Sequence, residues 1–292
     1  MQRYRQIKDE IGLLSSLRIL CTSYEEISVM NMQRIRGMVL STRTFYTKLA
    51  KVYYHVKTSY KDELKKDEKK NKAAQEIARK NGKTVAVFIS ANAKLHGVII
   101  DNVFQSFEKY ITSNEADVII IGKLGRELYE RLIPDGRKKE YLYFEIPDMQ
   151  VALEDLRTIV YHLLEYEKIT VFYGQYNSML DQVAQMTNIT GDAILEKEVH
   201  TGHNEAFLFE PKLEDIVDYF EKQIFSALFK QTVHESQLAR FASRITAMEF
   251  ALDRIDGKEN NLYNERRRIT RLINNKTQQE RMSGISLWGA KL

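Results

Sequence analysis

Residues 238–255 read LARFASRITAMEFALDRI, and in them Leu238, Phe241, Ile245, Met248, Leu252 and Ile255 recur at alternating spacings of three and four. That rhythm is a heptad seam. A repeat of about 3.5 residues, rather than the straight helix's value of about 3.6, turns the apolar line slowly around the helix, so a second helix must wind with it to the left. Past Ile255 the same line continues through Glu259, Leu262, Arg266, Ile269 and Ile273, with two charged interruptions. Pro211 precedes it at a place where a helix start tolerates proline. One helix is therefore predicted from about Lys212 to about Arg281. At about 1.5 Å per residue it is on the order of 100 Å long, with Gly257 its weak point.

Outward from this stretch, the three prolines, Pro134, Pro147 and Pro211, all lie in the middle of the chain. Proline removes an amide donor and clashes with the preceding turn. Both ends are thus free to form long helices. The N-terminal segment carries Leu13, Leu17, Leu20, Tyr24 and Ile27 at heptad spacing, then Ile35, Met38, Phe45, Leu49, Val52 and Val56, with a polar break at Asn31 and Arg34. Two such helices are natural partners in an antiparallel coiled coil, although periodicity cannot name a partner.

Between them the pattern changes. Residues 60–83 interleave Lys, Glu and Asp and end at Asn81 and Gly82, as a solvated helix or linker does. Short apolar runs then alternate with helical stretches: strands at Thr84–Ile89, Asp117–Ile121 and Ile169–Tyr173, helices over Val103–Ile111, Leu124–Leu132 and Met149–Glu167. This alternation predicts an α/β class, with a Rossmann-like domain of largely parallel sheet inserted between the coiled-coil arms. The expected organisation is a helix and charged linker over 1–82, an α/β domain over 83–210 and a helix over 211–292.

Composition narrows the function classes. The 292 residues are 43% hydrophobic and 29% charged with a net charge of +4, which suits a helix-rich globular protein and not a dedicated nucleic-acid binder. The single cysteine, Cys21, excludes an intramolecular disulfide and fits a reducing compartment. The N-terminus has no secretory signal pattern, and runs such as Val98–Ile100 and Val118–Ile121 are far too short to span a bilayer, so membrane association is expected to be peripheral.

The motifs of catalysis are missing. Gly122-Lys123-Leu124-Gly125 follows a strand, but lacks the Gly-x-x-x-x-Gly-Lys-Ser/Thr spacing that wraps amides around phosphates. Among the six histidines only His200 and His203 are close, and no third histidine or cysteine stands nearby, so loop histidines flanking Gly202 are the commoner reading. No cofactor, metal or catalytic site is expected. Two features remain for partner binding. Arg266, Arg267, Arg268 and Arg271 form a basic cluster, with a smaller one at Arg34 and Arg36. A basic cluster attracts acidic loops. The terminal Trp288 lies in an apolar tip suited to an apolar collar.

Several motifs also resemble one family. Glu210-Pro211, Gln223-Ile224-Phe225, Glu235-Ser236, Ala242-Ser243-Arg244-Ile245-Thr246-Ala247-Met248 and Ala251 follow in order the run leading into the last helix of F-type ATP synthase gamma subunits. Tyr263-Asn264 and Ile269-Thr270 resemble that family's Tyr-Asn-x-x-Arg-Gln-x-x-Ile-Thr, here two residues shorter and with Glu265-Arg266 in place of Arg-Gln. Leu95-His96-Gly97, Gly122 to Gly125, Tyr173 to Ser178 and Ile27 to Met32 are weaker likenesses. The resemblance implies a non-catalytic central rotor stalk that transmits torque between a proton-driven c-ring and a head of alpha and beta subunits, with epsilon at its foot. It implies a peripheral place on the cytoplasmic face of the cell membrane. It also implies head contacts at Arg244 and Thr270, at Arg266 in register, and more loosely at Met30; the charges at Arg34 and Arg36 are expected to join them. A coiled-coil scaffold or adaptor, or the rotor of a related rotary ATPase coupled to another ion, remains the alternative.

Overall fold

The computed structural model describes residues 2–66, 82–149, 151–189 and 213–289. Most of the charged linker, the His200–His203 pair, Pro211 and the last three residues lie outside these, as does the side chain of Trp288. The chain forms two compact units, 28–244 and the two ends 1–27 with 245–292.

In chain order, helix α1 (Gln2–Lys66) leads to strand β1 (Thr84–Ile89), helix α2 (Ile99–Ser113), strand β2 (Asp117–Ile121), helix α3 (Lys123–Leu132), strand β3 (Tyr141–Phe144), helix α4 (Leu153–Leu163), strands β4 (Lys168–Tyr176) and β5 (Gln182–Asn188), and helix α5 (Leu213–Gly289). The sheet runs β3-β2-β1-β4-β5. Its first four strands are parallel, and β5 turns back antiparallel on β4. β1 and β2 have the predicted bounds.

Side chains alternate across these strands, so each face has its own core. Ala86, Phe88, Val118, Ile120 and Phe172 meet α2 and α3 on one face. There Phe107 stacks on Phe88 at 5.3 Å and meets Phe172 edge-on at 5.6 Å. On the other face, Val85, Val87, Ile119 and Val171 pack under Leu156 and Ile159 of α4 and Phe225, Phe229 and Val233 of α5. The sequence reading misses β3 and β5. Four residues are too few for a period, and β5 is a half-buried edge strand of mixed polarity. The helix predicted over Met149–Glu167 is shorter than expected: α4 begins where the Asp155 carboxylate accepts the Ala152 amide at 3.0 Å and ends at Leu163.

Within the smaller unit the two terminal helices pair antiparallel. Ile7 and Leu14 pack with Ile255 and Leu262, flanked by Ile11, Cys21 and Ile269. Arg3 meets Glu265 at 2.9 Å and Arg18 meets Glu259 at 2.8 Å. As one helix ascends, the other descends. In the larger unit Tyr53 packs with Ile224 and stacks on Phe220, in the same antiparallel sense.

The C-terminal seam is buried as predicted at Leu238, Phe241, Ile245, Met248, Ile255 and Leu262. The N-terminal seam is corrected. Leu13, 64% exposed, faces outward with Leu17, Leu20, Tyr24, Ile27, Met38, Phe45 and Val52. The inward line runs Ile7, Ile11, Leu14, Arg18, Cys21, then Ser28, Met32 and Ile35. Both lines have heptad spacing, so apolarity favoured the wrong one. The charges on α5 decide the choice: Glu259 interrupts its seam and is answered by Arg18 on the more polar line.

Candidate functional site

The sequence-expected contact residues fall into separate groups. On α1, Met30 is 62% exposed, and Arg34, one turn further, is exposed as well. Arg36 is exposed but lies two residues from Arg34, a spacing that does not share a helix face. On α5, Thr270 is exposed and its hydroxyl donates to the Arg266 carbonyl at 2.8 Å. Arg266 is half-buried with its guanidinium 5.0 Å from the Tyr263 ring centre. This cation–π contact gives the guanidinium a partner on its own helix. Arg267, Arg268 and Arg271 are exposed.

Arg244 is different. It is buried, and its side chain is engaged by the loop after β1. Its Nη2 donates to the Lys94 carbonyl at 2.9 Å and its Nε to the Leu95 carbonyl at 3.2 Å. Nη2 also lies 2.9 Å from His96 Nε2. A guanidinium only donates, so Nε2 is the acceptor and the ring proton sits on Nδ1, which reaches the Arg240 carbonyl at 3.4 Å. Burial first, then the charges of Arg240 and Arg244, hold His96 neutral, its pKa pushed down to about 2. Leu95 takes a left-handed φ of 71°, which a branched side chain resists. The bonds to Arg244 hold the loop in that shape.

One turn earlier on α5 sits Arg240, 5% exposed. It donates to the Ser90 carbonyl and, at 3.2 Å, to Asp148 Oδ1. Asp148 also accepts the amides of Asn92 at 3.0 Å and Ala93 at 2.8 Å, while its own carbonyl accepts Gln237 Nε2 at 3.1 Å. Burial lowers the pKa of Arg240 and Asp148 opposes that shift. A buried ion pair needs hydrogen bonds for its remaining lone pairs, and here both oxygens of Asp148 accept backbone amides as well. Sequence reasoning missed Arg240, Asp148 and Asn92, because nothing in their spacing links them.

This network lies at the carboxyl end of the sheet, where folds of this class take ligands. The phosphate-type turn at Gly122 is closed from within. Asn92 Oδ1 accepts the Lys123 amide at 3.0 Å and the Ala91 carbonyl accepts the Leu124 amide at 2.8 Å. Gly122 has φ 101°, and a Cβ there would lie 2.9 Å from Ala91 backbone atoms. Among the described residues no group of three or more His, Cys, Asp or Glu is arranged to hold a metal ion. Among them too, no helix is long and apolar enough to cross a membrane.

The chain matches known proteins over most of its length. The ATP synthase family model matches residues 3–271. The ATP synthase gamma chain of Flavobacterium johnsoniae is 23% identical over 275 residues, covering 91% of this chain and 93% of that one. The gamma chain of Staphylococcus epidermidis is 24% identical over 178 residues, 56% of this chain and 60% of its own. Among solved structures, the central stalk and c-ring of the Tetrahymena thermophila mitochondrial ATP synthase superposes with a TM-score of 0.55 at 17% identity, over 80% of this chain and 99% of that one. A chain of the Euglena gracilis mitochondrial ATP synthase gives 0.53 at 15% identity, over 89% and 95%. The paired terminal helices and the inserted parallel sheet agree with these matches: the chain belongs to the ATP synthase family, and its relatives there are gamma chains.

Proposed function

We propose that the chain transmits torque between a proton-driven c-ring and a catalytic head of alpha and beta subunits, with epsilon beside its α/β domain, and that it makes no or breaks no bond itself. The observation that best supports this is helix α5. It is a single helix of 77 residues that is both a wall of the α/β core and, further on, half of the antiparallel pair with α1. A turning force applied to the domain therefore reaches α5 directly, through the side chains packed on it.

In this reading, residues 1–82 and 211–292 supply the shaft and 83–210 the foot, held peripherally at the cytoplasmic face of the cell membrane. An asymmetric shaft meets each beta subunit differently, so its rotation changes their nucleotide affinities in turn. Met30, Arg34, Arg36, Arg266 and Thr270 are the proposed head contacts, the arginines meeting acidic loops. Arg244, with its guanidinium engaged internally, contributes by holding the Lys94–Leu95 loop. The test is assembly: the chain should purify stoichiometrically with its alpha and beta subunits, stimulate their ATPase and carry a rotating bead. Failure to assemble with them would favour a free-standing adaptor.

A further inference from the structure

The strand order reverses between β1 and β4, and the crevice outside the carboxyl ends of those two strands is the usual ligand site of such a sheet. Here that crevice faces α5. A Cβ built on Gly174 of β4 would lie 3.2 Å from the Ala239 Cβ, so only the absence of a side chain lets the helix come this close. The Arg240 guanidinium enters beside the loop after β1, held by the Ser90 carbonyl and Asp148. Gln237, Arg240 and Arg244 carry the anchoring side chains. Their spacings of three and four put all three on one face of α5 over two turns.

We propose that this crevice serves as the torque joint between the α/β domain and the C-terminal helix, with Arg240 the inserted group and Asp148 the positioning residue that holds it. This rests on the rotor reading. Apolar packing, such as Phe229 and Val233 against the sheet, is non-directional: it resists separation but permits small rotations of a helix about its axis. Hydrogen bonds to fixed carbonyls and a carboxylate are directional and weaken steeply when bent. The anchors reach three separate segments, at Ser90, at Lys94–His96 and at Asp148. Twisting α5 either way misaligns several of them at once. Asp148 also fixes the loop itself through the Asn92 and Ala93 amides, so losing its charge loosens both sides of the joint.

The experiment uses the complete ATP synthase complex carrying this chain, in sealed vesicles, reading ATP hydrolysis and ATP-driven proton uptake together. Asp148→Asn and Arg240→Met should each lower protons moved per ATP at least about two-fold while hydrolysis continues at the wild-type rate. A general folding defect would lower hydrolysis and complex yield along with pumping. In the Arg240→Met background, a disulfide from Gly174→Cys and Ala239→Cys, with Ile99→Ala to make room, should restore coupling when oxidised and lose it when reduced. The 3.2 Å Cβ separation is near the roughly 3.5–4.5 Å that a disulfide takes. Should the variants not assemble, amide exchange at Asn92 and Ala93 in the full chain decides: faster exchange supports the joint, and unchanged protection overturns it. Wild-type coupling ratios in both single variants would overturn it too. If the unmodified chain does not assemble or couple, the rotor reading fails; if it couples and the variants match it, only the joint fails.

Discussion

Arg18 of α1 and Glu259 of α5 meet at 2.8 Å, each standing at a place where its own helix interrupts an apolar line. Asp256 joins from the turn before. The Glu259 side chain is 14% exposed and that of Arg18 is 37% exposed, so the carboxylate lies inside the helix contact and the guanidinium reaches it from the edge. Arg18→Ala should therefore lower the thermal midpoint by leaving Glu259 half-buried without its partner, and the loss should shrink in high salt. Arg18→Leu combined with Glu259→Leu should recover the midpoint, because matched apolar groups replace a desolvated pair. A double-mutant cycle by thermal melting measures both, and simple additivity would remove the pair from the stabilising set.

The two heptad lines of α1 predict opposite sensitivities. Leu14 is buried against Ile255 and Leu262, and Leu14→Ala should cost about 2 kcal/mol. Leu17 is on the outward line, and Leu17→Gln should change stability by no more than about 0.5 kcal/mol. Denaturant melts of the isolated chain check the contrast, which would reverse if the outward line were the true seam.

Gly257 lies inside α5 with open space where a Cβ would be. Gly257→Ala should stabilise the chain by about 0.5–1 kcal/mol, since glycine loses the most backbone freedom in a helix. The melting temperature reads this directly.

His96 gives the chain an acid-sensitive step. Its folded pKa of about 2 lies below the ordinary 6.5, so the unfolded chain takes up a proton that the folded chain refuses. The stability that depends on neutral His96 is complete above about 6.5 and is lost progressively as pH falls from there toward about 2. His96→Gln, which can still accept from Arg244 and donate to the Arg240 carbonyl, should flatten that slope. Chemical denaturation at pH 7 and pH 5 compares the two.

The sequence foretold those parts of the fold whose residues answer to their immediate neighbours. Thr84–Ile89 and Asp117–Ile121 are runs rich in Val and Ile bounded by polar residues, and their ends were predictable to the residue. The seam from Leu238 to Leu262 was legible because period and apolarity agree there. On α1 they disagree: a partly polar line lies inward and an apolar one outward, and only the opposite helix arbitrates. The contact candidates came from resemblance and charge clustering, and they remain proposals. The joint was hidden, since Arg240 and Asp148 are separated by 92 residues and Arg244 and Lys94 by 150. No local pattern records such pairs.

The closed turn at Gly122 bears on how the machine can be controlled. The amides of Lys123 and Leu124, which could have gathered a phosphate, are already taken by Asn92 and Ala91. A nucleotide seeking that turn must break its seal first. The turn thus spends those two amides on holding its own loop together, and it offers neither of them to a phosphate.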